Sequence, residues 1–159
     1  MKRPDRLTGA ILVCVLSLTA MTAALLLTSD TQQGQFTPPP FESAAQTGMP
    51  EVPKNLGYSE LDAKAFKTAV CGVFAPEENC VDLWLTNPEE NTVWLKLRVM
   101  DEAGTVLGET GLLRPGEYVR SLTLNTTPHP GAKVTLKLMA YEPDTYYSAG
   151  AVSLHTLVS

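Results

Sequence analysis

The chain has 159 residues, room for one ordinary domain and a targeting segment. Its formal net charge is −5, and the nine basic and sixteen acidic residues after Thr28 leave that part at −7. An acidic domain without a basic stripe excludes nucleic acid as the expected ligand.

Residues 1–6 carry Lys2, Arg3 and Arg6, and from Leu7 to Ser29 no residue is charged. Ile11 to Leu27 is nearly all Leu, Val, Ala, Ile and Met. Roughly 20 apolar residues at about 1.5 Å each span a bilayer core, so residues 7–29 are expected to form a transmembrane anchor. The basic flank precedes the run, and no base follows it until Lys54. That asymmetry predicts a single-pass cell-membrane protein with a cytoplasmic N-terminus and its domain outside. A cleaved signal peptide would need a small-residue site after the apolar core. Ala20, Ala23 and Ala24 lie inside the run instead, with Leu25-Leu26-Leu27 after them. Processing as a lipoprotein at Cys14 is disfavoured because bulky Val13 precedes it and most of the apolar core follows it.

Residues 30–54 hold Pro38-Pro39-Pro40, Pro50 and Pro53 among Gln, Ser, Thr and Gly, a composition that predicts an extended spacer. Ser59-Glu60-Leu61-Asp62 resembles a helix N-terminus, with Ser59 as cap, so a short helix to about Lys67 is expected at the start of a domain over residues 55–159.

From Thr68 the chain reads as strands with turn residues every 8–12 positions or so, the pattern of an all-β sandwich. Val81, Leu83 and Leu85 alternate with Asp82, Trp84 and Thr86; Val93, Leu95, Leu97 and Val99 alternate with Trp94, Lys96 and Arg98. Period two predicts two strands with one face buried. Joined by Asn87-Pro88-Glu89-Glu90-Asn91, they read as a hairpin in which Leu83 faces Leu95, Trp84 faces Trp94 and Asp82 faces Lys96. The tryptophan pair is either a cross-strand contact partly covered by other chain or an exposed platform for a sugar, peptide or protein. Asp101 to Gly104 predicts a type I turn ending in a left-handed glycine, and Arg114-Pro115-Gly116-Glu117 a type II turn. Strands are expected at 68–74, 105–110, 118–124, 134–140 and 151–158 besides the two of the hairpin. Seven strands in about 90 residues fit an antiparallel immunoglobulin-like sandwich.

Cys71 and Cys80 would lie outside the membrane at neighbouring ends of successive strands, where a disulfide can persist; the alternative is two unpaired thiols. The only histidines are His129, between two prolines, and His155, in the last strand. They make no zinc pattern with two cysteines nine residues apart, and no nucleophile elbow, phosphate loop or HExxH is present. Glu77-Glu78 and Glu89-Glu90 fall in turns and read as solvated. No catalysis, metal or cofactor is expected. Asn125-Thr126-Thr127 matches the glycosylation sequon, which matters only in a eukaryotic secretory host.

Asn87-Pro88-Glu89-Glu90-Asn91, then Val99-Met100-Asp101-Glu102-Ala103-Gly104-Thr105-Val106-Leu107, Leu112-Leu113-Arg114-Pro115-Gly116-Glu117 and Leu122-Thr123-Leu124 are carried in sequence over roughly residues 79–142. This run is similar to membrane-anchored surface proteins of Gram-positive bacteria, in which an anchor and linker precede one immunoglobulin-like domain. The resemblance implies a fold and a location and brings no catalytic residue with it. Thr156-Leu157-Val158-Ser159 has no sorting motif or basic tail, so wall attachment is not expected. The reading is a membrane-anchored binding or interaction module for a protein or a cell-envelope polymer, with Trp84, Trp94, Asp82 and Lys96 as its surface. The alternative is an accessory structural subunit of an envelope assembly, such as a secretion or conjugation apparatus.

Overall fold

The computed structural model describes residues 36–159. The anchor read at residues 7–29, the basic residues before it and Cys14 lie outside the described residues. No helix among the described residues is long and apolar enough to cross a membrane. In chain order the strands are β1 (Gln46–Thr47), β2 (Tyr58–Ala63), β3 (Phe66–Cys71), β4 (Cys80–Asn87), β5 (Trp94–Asp101), β6 (Val106–Glu109), β7 (Glu117–Thr123), β8 (Lys133–Tyr141) and β9 (Ser148–Leu157). They form two antiparallel sheets, one in the order β1-β7-β4-β3-β2 and the other β6-β5-β8-β9.

Alternation decides which side of each strand is buried. Val81, Leu83 and Leu85 of β4, Leu97 and Val99 of β5, and Leu136 and Leu138 of β8 are all buried in one cluster between the sheets. Phe66, Val93, Leu95 and Ala140 make a smaller one. Burying such side chains stabilises the fold by roughly 1.5–3 kcal/mol each relative to exposure. Both expected glycine turns are present: Gly104 has φ 84° after Asp101, and Gly116 has φ 79° in a turn closed by Glu117 N–H donating to the Arg114 carbonyl.

The pairing of β4 with β5 is a correction to the sequence reading. They do not form a hairpin: β4 pairs with β3 and β7, and β5 pairs with β6 and β8. Pro88 to Val93 carries the chain from one sheet to the other. Two rows of apolar side chains are buried equally well side by side or face to face, so periodicity could not choose the hydrogen-bond partner. Asn87 holds the crossing. It is fully buried, and its Nδ2 donates to the Val93 and Leu113 carbonyls, both at 2.9 Å. Asn91 Nδ2 donates to Asn87 Oδ1 and to the Lys67 carbonyl, while Asn91 Oδ1 accepts from Lys67 N–H.

Two further expectations are overturned. The segment from Ser59 is not a helix but β2, an edge strand in a tight hairpin with β3 from Tyr58↔Cys71 to Ala63↔Phe66. One turn or two of helix would be marginal by itself, whereas pairing satisfies the backbone of both strands. The spacer read over 30–54 is, from Pro40 on, part of the domain. The Pro40 carbonyl accepts from Leu112 N–H, Glu42 N–H donates to the Leu112 carbonyl, and Gln46–Thr47 pairs with β7. Gly111 makes this close approach possible: a Cβ there would lie 2.5 Å from the Glu42 nitrogen.

Candidate functional site

β4 carries a bulge in which Leu83 and Trp84 together oppose one residue of β7, with Asp82↔Ser121 on one side and Leu85↔Val119 on the other. Trp84 takes φ 49° there, a left-handed conformation natural to glycine and costly, of order 1–3 kcal/mol, for a bulky side chain. A clamp holds it: Tyr58 Oη lies 2.6 Å from Thr86 Oγ1, which donates to the Trp84 carbonyl at 3.2 Å. Burial raises the pKa of the Tyr58 hydroxyl and outweighs the hydrogen bond to Thr86, so the phenol stays protonated.

The indole of Trp84 stacks on Tyr118 with ring centroids 6.0 Å apart, and the Arg120 guanidinium sits 5.5 Å above it. Arg120 Nε and Nη2 both donate to Asp82 Oδ2, at 3.1 and 3.0 Å, and Tyr118 Oη donates to Gln46 Oε1 at 2.7 Å. An aromatic pair, a cation and a carboxylate thus form one patch on the five-stranded sheet. Within it, Trp84 Nε1 is buried without a hydrogen-bond partner. A buried orphan donor costs roughly 1–3 kcal/mol. Strain and an unmet donor fall on the same half-buried residue.

Trp94 has a different environment. Phe41 meets it edge-on at 4.9 Å and Tyr146 at 5.3 Å, and Arg114 lies 3.6 Å over the Phe41 ring. The former spacer and the loop before β9 cover it. Trp84 and Trp94 therefore belong to different sheets and share no platform. Asp82 and Lys96 are likewise apart. Lys96 is 7% exposed and donates to Glu109 Oε1 at 2.6 Å, while Arg98 Nε donates to Glu109 Oε2 at 2.9 Å. Burial pushes the Glu109 carboxyl upward, but the hydrogen bonds and charges of Lys96 and Arg98 outweigh it and leave its pKa lowered. Of the four residues singled out from sequence, Asp82 and Trp84 belong to the patch. Tyr118, Arg120 and Gln46 complete it, and no local signal marks them, because only the β4–β7 and β1–β7 pairings bring them there.

Cys71 and Cys80 are both free thiols, against the expected bridge. From Ala69↔Thr86 the antiparallel count brings Cys71 level with Trp84, four residues from Cys80, because β3 and β4 run past each other rather than meeting at these ends. Burial, with the Asp82 charge adding to it, pushes the Cys71 thiol up to about 11, so it is an unreactive core group.

Elsewhere an open groove of about 650 Å³ runs past His129, and one of about 420 Å³ past His155. Both are bordered by the exposed Glu102–Lys133 ion pair at 3.1 Å. Among the described residues no group of three or more His, Cys, Asp or Glu is placed to hold a metal ion. Comparison with protein-family models, curated proteins and solved structures returns no match for the chain.

Proposed function

We propose that the chain is a membrane-anchored, extracytoplasmic binding module built on an immunoglobulin-like sandwich and acting without catalysis. The connectivity supports this reading. Steps from β4 to β5, β6 to β7 and β7 to β8 each change sheets, with β4 beside β7 and β5 beside β8, which is the Greek-key arrangement of such domains. The binding surface is the patch of Trp84, Tyr118, Arg120 and Asp82, and its ligand is a protein or a cell-envelope polymer.

Trp84 carries the proposal. A fold selected for stability alone would place glycine at φ 49° and would not bury an indole N–H with no acceptor. Both costs on one aromatic residue, beside an exposed arginine, support a recognition role for this patch. The test uses the full chain in detergent micelles. Trp94→Phe leaves Trp84 as the sole tryptophan, because the chain has two. Acrylamide should then quench the remaining emission, and purified cell-wall fragments or a candidate partner protein should protect it. Arg120→Ala should abolish the protection. Protection that survives Arg120→Ala, or emission that never responds to either class of ligand, refutes the proposal.

A further inference from the structure

Residues 40–48 cross from the Leu112 segment to β7 as a strap that no buried side chain holds. Among the described residues none before Phe66 is buried, and within the strap Phe41 and Ala45 are half-buried. Polar bonds do most of the holding. Leu112 N–H donates to the Pro40 carbonyl, Glu42 N–H to the Leu112 carbonyl and Gly48 N–H to the Gly116 carbonyl, each at 2.9 Å. Gly111 N–H donates to Glu42 Oε2 at 2.7 Å, and the ladder pairs Gln46↔Tyr118 and Thr47↔Glu117 join the far end to β7. Behind these lies a pivot: Gly48 has φ 108° with open space where a Cβ would stand, and Met49 is 82% exposed. The sheets hold together without the strap, since β7 is paired with β4 along its length and β5 with β8.

We infer that this strap undocks as a unit while both sheets stay folded, and that it is a latch on the Trp84 patch. Segments that open locally are those with few buried apolar contacts, which describes residues 40–48 and not the strands they cross. Docked, Gln46 Oε1 accepts the Tyr118 hydroxyl at 2.7 Å, and Tyr118 stacks on Trp84. Undocked, Tyr118 keeps its place on β7 through Thr86 but loses Gln46 and the strand beside it. A ligand that grips Tyr118 and Trp84 as they stand favours the docked strap, and by linkage the docked strap raises affinity for that ligand. This last step rests on the patch being the binding surface, whereas the undocking does not. If residues 7–29 anchor the chain, pull from the membrane side reaches the strap before any strand of the core.

The test is hydrogen exchange on the full chain in detergent micelles, read residue by residue by fragmentation mass spectrometry. Two adjacent amides give an internal comparison. Leu112 N–H donates to the strap at Pro40, and Leu113 N–H donates to the Leu95 carbonyl inside the domain. Leu112 should exchange with Glu42 and Gly48, at least about tenfold faster than Leu113. Urea below the unfolding transition should speed Leu113 and leave Leu112 nearly unchanged, because undocking a strap exposes little surface. Tyr118→Phe removes the bond to Gln46 and should speed exchange at Glu42 and Gly48 roughly two- to fivefold, the worth of one hydrogen bond. Leu112 exchanging at the rate of Leu113, or with the same response to urea, overturns the undocking. Strap exchange unchanged in Tyr118→Phe overturns the link to the patch. None of these readings needs a ligand, so failure of the binding surface would show separately, as Trp84 emission that no ligand protects.

Discussion

Replacing Asn87 by leucine tests whether the buried amide holds the crossing between the two sheets. The side chains are close in volume, so little cavity cost enters and the loss is one of hydrogen bonding. The variant removes two donor bonds of 2.9 Å, to Val93 and Leu113, and the acceptor of Asn91 Nδ2. The Leu113 carbonyl keeps Leu95 N–H, and Asn91 keeps Lys67. Three bonds at about 1 kcal/mol net, plus part of the penalty for a buried carbonyl deprived of its donor, give a destabilisation of about 4 kcal/mol. Asn91→Ala sits nearer the surface, where water replaces its partners, and should cost about 1 kcal/mol. The two share a bond, so the double variant should fall short of additivity by roughly 1 kcal/mol. Urea unfolding of the full chain, followed by far-UV circular dichroism, reads all three. An Asn87→Leu variant within about 0.5 kcal/mol of the parent refutes the account.

Phe41→Ala removes the edge contact to Trp94 and the seat of Arg114, and should cost about 2–3 kcal/mol in the same assay. Gly111→Ala should act alike without touching either ring, because its methyl would displace the Phe41–Glu42 backbone. Glu109→Gln leaves the Lys96 ammonium buried without a carboxylate and should cost roughly 2–4 kcal/mol. The native pKa of Glu109 is lowered, so its stabilisation is present above the ordinary carboxylate value near 4.5 and lost as pH falls through the native one. The parent should therefore lose more stability below pH about 4.5 than the variant does. Cys71 has the opposite sign. Its pKa rises from 9.0 to about 11, so its contribution is whole below pH 9 and declines toward pH 11. Stability measured between those limits should fall less steeply in Cys71→Ala, and a thiol reagent at pH 8 should label Cys80 before Cys71.

Much of the fold was legible because period two reports burial directly. Each of the seven segments read as a strand overlaps one, and Val81, Leu83, Leu85, Val93, Leu95, Leu97 and Val99 are all buried. The partner of each strand was not legible. Leu83 and Leu95 are inward in a hairpin and inward across a core, and only contacts distant in sequence, such as Asn87 to Leu113, separate the two. Composition misled in the segment up to residue 54. Prolines disfavour a strand interior, but they do not stop Phe41 from docking on Trp94 or Pro40 from accepting a backbone hydrogen bond. The helix expected from Ser59 failed for a related reason. Capping residues are a local signal, and the hairpin with β3 is worth more than a cap on so short an element.

The two tryptophans show why a site has to be read from environment rather than residue type. Both stand at polar positions of an alternating strand, and by periodicity alone they are equivalent. Trp94 is enclosed by two rings from other segments, and the strap that brings Phe41 is fixed by backbone hydrogen bonds at Leu112 and a glycine with no room for a methyl. Every feature around it is accounted for by stability. Trp84 is held in a left-handed bulge, with its indole N–H unmet and a guanidinium over its face. The contrast appears as a stability difference. Trp94→Phe should cost more than 1 kcal/mol, because it loosens a packed cluster. Trp84→Phe should fall within about 1 kcal/mol of the parent, since removing the orphan donor offsets the lost stacking. If the two substitutions cost the same, Trp84 is ordinary packing and the patch has no claim to be the binding surface.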